Sequence, residues 1–309
     1  MCPSSDDVLA QARKEYLTEL LDAGLLIPIG VKGVYGRSGV FENVIEHFQD
    51  YITAVGKPFN PEVIHFPPVI SRSSYLCTDH IHNFPDLMGS LHSFEGNERA
   101  HLQLVQKKED GEDWTTELNP TELMMAPAAC YNLYPTATGI LPENGRLVDL
   151  HGFVFRHEPS DDPARMQSFR MREYVRLGTP DEALQHRNDW IERVLEMLIA
   201  VGLDAKKEVA NDPFFGRGGR VMKATQREQD LKYELVVPIT SDEKTTAVAS
   251  SNYHMDHFGS VFDIKTADGN VAHSACVGWG LERIALALFK KHGLDPLAWP
   301  SEVKQVLEL

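Results

Sequence analysis

Residues 153–178 concentrate charged and aromatic side chains in a pattern typical of two strands joined by a short polar loop. Arg156 and Glu158 alternate along the first strand, and Phe169 and Glu173 are four residues apart on the second, so each pair shares one face. One interpretation is a solvated face with cross-strand ion pairs. The other is a nucleotide platform, on which the arginine binds a phosphate and the phenylalanine stacks on a base.

A second segment, ACVGWGLERIALALF at residues 275–289, joins a predicted strand to a predicted helix. Gly278 and Gly280 permit close approach of another group to the backbone. Arg283 lies in the first turn of the helix, beside backbone N–H groups that suit an anion. Taken alone, this pattern favours a structural turn with a surface arginine over a nucleotide site.

The four cysteines are far apart in the sequence and form no CxxC motif. The N-terminal residues show no basic stretch followed by an apolar one, so the sequence predicts no signal peptide and reduced thiols in the cytoplasm. A lone cysteine is most often a buried, inert thiol, and this is the default interpretation of Cys130 and Cys276.

Two local clusters are rich in residue types that bind metals. Neither has the HExxH or CxxC form, and we interpret both as polar residues of loops or strand ends. Their members are Cys77, Asp79, His80 and His82 in the first cluster, and His254, Asp256 and His257 in the second.

Helical periodicity and capping residues predict helices over residues 4–22, 38–55 and 180–202 and from the second segment to about residue 293. Strands are predicted over residues 63–66, 147–156, 169–177, 233–237, 245–251, 260–265 and 270–278. Strands in runs, rather than in strict alternation with helices, indicate an α+β fold and not a doubly wound one. No linker divides the chain, so we expect one domain over residues 1–309.

The composition is that of a globular protein, with 42% hydrophobic and 24% charged residues among 309. A formal net charge of -15 disfavours binding to a nucleic-acid backbone. No apolar run reaches the roughly 18 residues of a membrane span, so no membrane association is expected.

Together, the two segments resemble motifs 2 and 3 of the class II aminoacyl-tRNA synthetases. Motif 2 is F-R-x-E followed by a phenylalanine on the return strand, here FRHE at 155–158 and Phe169; motif 3 is G-x-G-h-E-R, here GWGLER at 278–283. The helix at 38–55 and the following VIHFPPVISRS resemble motif 1. Motif 1 then spans about residues 38–70, motif 2 about 153–178 and motif 3 about 274–290, in family order.

The resemblance implies an antiparallel sheet flanked by helices, an ATP site and formation of an aminoacyl-adenylate with Mg²⁺. By position, Arg156 resembles the arginine on the α-phosphate and Arg283 the arginine on the γ-phosphate, and these two are the predicted catalytic residues. Phe169 resembles the aromatic ring under the adenine, and Glu158 the acid at the adenine edge. Arg165, in the motif 2 loop, is predicted to contact phosphate.

Cys130, Glu173 and Cys276 resemble the zinc ligands of the methanogenic-type seryl-tRNA synthetases. In that family a fourth position on Zn²⁺ takes the amino group of the substrate, and two thiolates with a carboxylate suit this metal. Ser251 and Asn252 are the candidate substrate contacts. A threonine stands where the seryl enzymes carry a metal-binding glutamate, so the Mg²⁺ ligands stay unassigned.

Only 37 residues precede the motif 1-like helix and 26 follow Arg283, so we predict no tRNA-binding domain and no tRNA partner. A catalytic core of this kind resembles the amino acid:[carrier protein] ligases. That family implies a zinc-dependent cytoplasmic homodimer that loads glycine or alanine onto the phosphopantetheine thiol of an acidic carrier protein. The similarity extends through FPPVISRS, MMAPAACYNLYP and SFRMREYVRLG.

Residues 213–227 carry four basic side chains and no acidic one. Arg217, Arg220, Lys223 and Arg227 are predicted to bind the acidic carrier or the phosphate of its arm, with a solvated helix face as the alternative. Two other functions stay open at this point: a minimal aminoacyl-tRNA synthetase of seryl type, and an inactive paralog that acts as a regulatory subunit.

Overall fold

The computed structural model of the chain describes residues 4–210 and 231–309. Its centre is a seven-stranded sheet with the strand order β10-β11-β12-β14-β9-β8-β3. Each pair is antiparallel except the last, in which β3 runs parallel to β8. The strands of this sheet are β3 (Glu62–Ile64), β8 (Arg146–Phe155), β9 (Ser168–Gly178), β10 (Lys206–Val209), β11 (Lys232–Val237), β12 (Thr246–Met255) and β14 (His273–Gly280).

The described part of the chain also forms three smaller sheets. A hairpin joins β1 (Leu26–Pro28) to β2 (Tyr35–Arg37), and β7 (Gly139–Ile140) runs parallel to β13 (Ile264–Lys265). A three-stranded antiparallel sheet has the order β4-β6-β5, formed by β4 (Val69–Ser71), β6 (Leu118–Met125) and β5 (Ser90–Phe94).

Among the helices of residues 4–210 and 231–309, four are long and, apart from the exposed α5, the others are short connections. The long ones are α1 (Ser5–Asp22), α2 (Gly39–Gly56), α7 (Pro180–Ala200) and α9 (Leu281–His292). The others are α3 (Arg72–Leu76), α4 (His80–Asn83), α5 (Glu98–Glu109), α6 (Leu133–Thr136), α8 (His257–Val261) and α10 (Ser301–Leu307). Side chains cap the starts of α2 and α7: Ser38 accepts from Phe41 N, and Thr179 with Glu182 forms a full capping box.

The central sheet separates two apolar layers. On one face the long helices pack against Tyr174, Val277 and Trp279. On the other face Cys276 and Val175 lie in a second core with residues 129–137 and α8. Because side chains alternate along a strand, neighbouring residues of β14 serve different layers, and Cys276 is directed away from the long helices.

Three alternate residues of β9 bind α2. Arg170 pairs with Glu42, and Arg172 Nη1 donates to Gln49 O at 2.7 Å. Tyr174 Oη donates to Ile52 O at 3.2 Å. Arg172 also forms a bidentate pair with Asp149 of β8, at 3.0 and 2.6 Å, in which both side chains are buried.

Gly56, the last residue of α2, belongs to the same contact. A Cβ added there would lie 2.1 Å from Tyr174 Oη, so a larger residue would force the helix off the strand. The glycine predicted to end this helix therefore also allows its close approach to β9.

The predicted long helices are confirmed to within two residues at each end. The strand predicted over 260–265 is wrong: helix α8 occupies residues 257–261, and only the two-residue β13 follows. An apolar run this short does not distinguish a strand from a helical turn, and stacking of Phe258 on Tyr134 at 3.7 Å favours the turn. The three-stranded sheet was not predicted.

Within residues 4–210 and 231–309, no helix has the length and apolar character needed to cross a bilayer.

Asp149→Asn leaves the Arg172 guanidinium buried without its counter-charge. We expect the free energy of unfolding to fall by about 3 kcal/mol, the usual cost of breaking a buried ion pair. Urea denaturation monitored by circular dichroism measures this value. Glu62→Gln is the matched control, because it removes the exposed partner of Arg146 and should cost less than about 1 kcal/mol. Equal losses in the two variants would contradict the structural importance of the buried pair.

Candidate active site

The central sheet opens at one end of β9. The last residues paired between β9 and β14 are Met171 and Gly280, after which β14 gives way to α9. Strand β9 extends on to Ser168 with β8 alone as its neighbour. Phe169 precedes the last paired residue of β9 by two positions, and Arg283 follows the last paired residue of β14 by three.

Arg156 is fixed at the end of β8. Its Nε donates to Pro127 O at 3.1 Å, and its Cζ lies 5.7 Å from the centroid of the Phe169 ring. In the loop that follows, Arg165 Nη1 and Glu158 Oε1 form an ion pair at 3.0 Å. The structure therefore brings together four of the residues predicted for the ATP site.

Arg283 completes this group from α9. Its Nε donates to Ala164 O at 2.7 Å and its Nη1 to Ala247 O at 2.9 Å. Burial lowers the pKa of Arg283, and the charges of Arg156 and Arg165 lower it further. Three guanidinium groups that repel one another at the open end of a sheet form a site suited to a polyanion.

Glu282, the residue before Arg283, is buried with 2% of its surface exposed. Its Oε2 accepts from Arg170 N at 2.7 Å, and its Oε1 accepts from Arg170 Nε at 2.9 Å and pairs with Arg37 Nη2 at 3.1 Å. Arg170 extends to Glu42 of α2, with distances of 2.5 and 2.9 Å. This network joins the three segments that resemble motifs 1, 2 and 3. It was not predicted from the sequence. The Glu282–Arg283 pair in the motif 3 pattern was the feature from which a role for Glu282 could have been suspected.

Cys130, Glu173 and Cys276 come together on the face of the sheet opposite the long helices. All three are buried, and Glu173 Oε1 accepts from Ala129 N at 2.9 Å and from Cys130 N at 3.2 Å. Gly278 stands opposite Glu173, where a Cβ would lie 3.4 Å from Glu173 Cγ. The first glycine of the motif therefore leaves room for this carboxyl group.

The three groups influence one another's protonation. A hydrogen bond from the Cys130 thiol, with a contribution from His254, holds the pKa of Cys276 well below its usual range. The same bond, together with burial and the Glu173 charge, raises the pKa of Cys130 far above its usual range. Burial and the Cys276 thiolate raise the pKa of Glu173 to about 7.

Two thiols and a carboxyl group in a buried space offer the donor atoms that Zn²⁺ prefers. Their type and burial therefore fit the metal. Within residues 4–210 and 231–309, however, no three His, Cys, Asp or Glu side chains stand in an arrangement that already forms a metal-binding group.

Asn252 lies beside this trio, where its Nδ2 is 3.5 Å from Cys276 Sγ. Ser251 does not: its hydroxyl is fully buried and donates to Arg187 O of α7 at 3.1 Å. Because neighbouring residues of β12 face opposite sides of the sheet, Ser251 is directed to the helical layer and its predicted contact with a substrate does not fit.

Neither alternative cluster forms a metal-binding group among residues 4–210 and 231–309. His254 Nε2 lies 3.6 Å from Cys276 Sγ, so this histidine joins the trio, which the sequence did not predict. Cys77 is exposed, whereas the buried His80 ring lies among Tyr75 and Phe84, at 5.3 and 5.1 Å between centroids. The predicted carrier-binding residues Arg217, Arg220, Lys223 and Arg227 lie outside the described residues.

No protein-family model matches the chain. Two curated proteins of Bradyrhizobium diazoefficiens are similar to it over most of their length. Amino acid--[acyl-carrier-protein] ligase 1 is 40% identical over 309 residues, covering 99% of this chain and 94% of that protein. Amino acid--[acyl-carrier-protein] ligase 2 is 41% identical over 295 residues, covering 95% and 88%. A type-2 serine--tRNA ligase of Methanopyrus kandleri is 26% identical over 199 residues, or 60% of this chain and 38% of that protein.

Solved structures of seryl-tRNA synthetases share the fold. The seryl-tRNA synthetase of M. kandleri, in complex with an A. aeolicus tRNASec, superposes with a TM-score of 0.80 at 20% identity. The match covers 95% of this chain and 60% of that one. The cytoplasmic serine--tRNA ligase of Naegleria fowleri, bound to AMP, gives 0.71 at 11% identity, covering 95% and 59%. The predicted α+β class II synthetase fold is thereby confirmed.

The buried and exposed cysteines should differ in reactivity. We expect Cys77→Ser to remove one thiol that reacts rapidly with Ellman's reagent in the native, metal-free protein, because access governs this reaction. Cys130→Ser and Cys276→Ser should leave the number of rapidly reacting thiols unchanged. A loss of rapid reaction in either of these two variants would show that the trio is open to reagents of this size.

Proposed function

Because the chain belongs to the amino acid--[acyl-carrier-protein] ligase family, we propose that it activates a small amino acid with ATP and transfers it to a carrier protein. Glycine, or alanine, is the proposed amino acid, and the phosphopantetheine thiol of the carrier is the proposed acceptor. The observation that carries the proposal is the 40% identity to a named ligase over 94% of that protein. The polyanion site and the buried trio, on neighbouring parts of one sheet, support it.

In the first step, a carboxylate oxygen of the amino acid attacks the α-phosphorus of ATP. The new C–O–P bond forms as the bond to the β-phosphate oxygen breaks, and pyrophosphate leaves. Arg156 would bind the α-phosphate and Arg283 the γ-phosphate, with Arg165 assisting from the loop. Such a reaction depends on positioning and charge neutralisation, to which Mg²⁺ would add.

The adenine would lie in what we call the adenine slot, the space between Phe169 and Arg283 where the sheet opens. The Phe169 ring offers one stacking face, and the Arg283 guanidinium offers the other. Glu158, already placed by its ion pair with Arg165, would accept a hydrogen bond at the adenine edge.

In the second step, the carrier thiol sulfur attacks the carbonyl carbon of the adenylate. The C–S bond forms, the C–O bond to AMP breaks, and the thiol proton passes to a carboxylate or to the departing phosphate. Arg156 would stabilise the phosphate that leaves. Because Arg217, Arg220, Lys223 and Arg227 form a basic segment in an acidic chain, we propose that they bind the acidic carrier.

Zn²⁺ would be held by Cys130, Glu173 and Cys276 and would bind the amino group of the substrate. Asn252, beside Cys276 Sγ, is the candidate substrate contact that remains. We also propose that residues 1–309 form one catalytic domain that acts as a homodimer in the cytoplasm.

ATP–pyrophosphate exchange with each of the twenty amino acids tests the first step. We expect exchange with glycine or alanine and loss of exchange in Arg283→Ala, because the variant lacks a phosphate ligand. No exchange with any amino acid would overturn the proposal and favour an inactive paralog.

The acceptor is tested with the amino acid that supports exchange. Incubation with a holo-carrier protein should add the mass of one aminoacyl group to the carrier, and the apo-carrier, which lacks the thiol arm, is the control. The similarity to type-2 serine--tRNA ligases favours tRNA as the alternative acceptor. Charging of tRNA without a change in carrier mass would therefore overturn our assignment.

Cys130→Ser replaces a proposed zinc ligand with a weak one. We expect the bound zinc, measured by inductively coupled plasma mass spectrometry, to fall to background and activity to fall with it, since thiolate ligands bind Zn²⁺ far more tightly than hydroxyls. Cys77→Ser is the matched control and should keep its zinc. Full zinc content in Cys130→Ser would exclude this ligand set.

A further inference from the structure

We infer that Glu282 is a positioning residue that sets the width of the adenine slot without touching the nucleotide. The inference rests on the proposed function, because it assigns a role at the proposed ATP site. It is carried by one juxtaposition: a buried carboxylate takes the place of a missing strand beside Arg170.

Arg170 follows directly on the last paired position of β9. Beyond Met171 and Gly280, β14 no longer runs beside β9, so Arg170 N has no backbone partner on that side. A buried backbone N–H without a partner is costly. Glu282 Oε2 accepts from it at 2.7 Å and thereby continues the hydrogen bonding of the sheet by one more residue.

This bond links the two walls of the slot. Phe169 directly precedes the donor residue, and Arg283 directly follows the acceptor residue. Neither wall can shift away from the other without stretching the bond between Arg170 N and Glu282. A slot for a flat base needs such a fixed width, because stacking on both faces falls off steeply with separation.

Through Arg37, Glu282 also fixes the backbone on the N-terminal side of Phe169. Its partner Arg37 donates from Nη2 to Ser168 O at 3.0 Å. The backbone is therefore fixed immediately before and immediately after Phe169 by two groups that are themselves paired. The Phe169 ring is positioned by this arrangement and not by loop packing alone.

The charges of the network are balanced. Glu282 and Glu42 face Arg170 and Arg37, so two carboxylates meet two guanidinium groups. A buried acid that is paired in this way does not present a net negative charge to an incoming triphosphate. Glu282 can therefore lie next to a phosphate-binding arginine without weakening its attraction for ATP.

The test is the effect of Glu282→Gln and Glu282→Asp on ATP–pyrophosphate exchange. We expect each to raise the KM for ATP about tenfold or more, since a charge-assisted hydrogen bond is lost or misplaced. The kcat should fall less than threefold, and the KM for the amino acid should stay within about twofold, because the buried trio is not part of the network. Aspartate keeps the charge but is one methylene too short, so it separates position from charge.

Asp149→Asn is the matched control, since it also removes the charge of a buried acid paired with an arginine of β9. It should lower the melting temperature comparably and leave the KM for ATP unchanged. A wild-type KM in folded Glu282→Gln or Glu282→Asp would overturn the inference, as would an equal rise in Asp149→Asn.

Glu42→Gln is the second variant if Glu282→Gln does not fold. This variant removes the charge that binds Arg170 to α2 and should raise the KM for ATP about threefold. An unchanged KM for ATP would count against the inference. The proposed function fails separately, because its failure would be an absence of exchange in the wild-type protein.

Discussion

Attachment of α2 to strand β9 is the interaction on which the rest of the structure depends. Arg170, Arg172 and Tyr174 occupy alternate positions on one face of the strand, and each of them bonds to the helix. Through Asp149 and Glu282 the same arginines also reach β8 and α9. One strand thus fixes the segments that resemble motifs 1, 2 and 3 relative to one another, at the cost of burying charges that must stay paired.

The opposite face of the same strands carries the buried trio that we propose binds the amino acid. Glu173 lies between Arg172 and Tyr174 in sequence, and it therefore points away from α2 and toward the two thiols. Because successive side chains of β9 and β14 point to opposite faces of the sheet, each face has a different role. The helical side provides rigidity, and the other side provides the buried trio.

Much of this could be predicted from the sequence. Capping residues such as Thr179 and Glu182 mark helix starts through local hydrogen bonds, so the long helices were placed well. The FRHE hairpin and Arg283 were recognisable as motifs. The gathering of Cys130 with Cys276 followed only from family resemblance, because no local spacing encodes a contact between segments so far apart.

Other features depend on where a strand stops, which the sequence does not reveal to within a residue. The partner of Glu282 could not be predicted, since it depends on β14 ending at Gly280 while β9 continues. The orientation of Ser251 is a similar case: a shift of one residue in register moves a side chain to the other face. The basic segment 213–227 was recognised by composition alone, which gives charge but no position.

Strand β14 also fixes the distance between the buried trio and the end of the strand at which α9 begins. Cys276 and Gly280 are four residues apart on one continuous strand, a separation of about 13 Å at the usual rise per residue. That spacing is a property of the extended backbone and cannot be adjusted by exchanging side chains. Under the proposed function, the amino acid and the nucleotide would lie toward the two ends of this span, so exchanges of side chains would alter the room around each of them and not the distance along the strand.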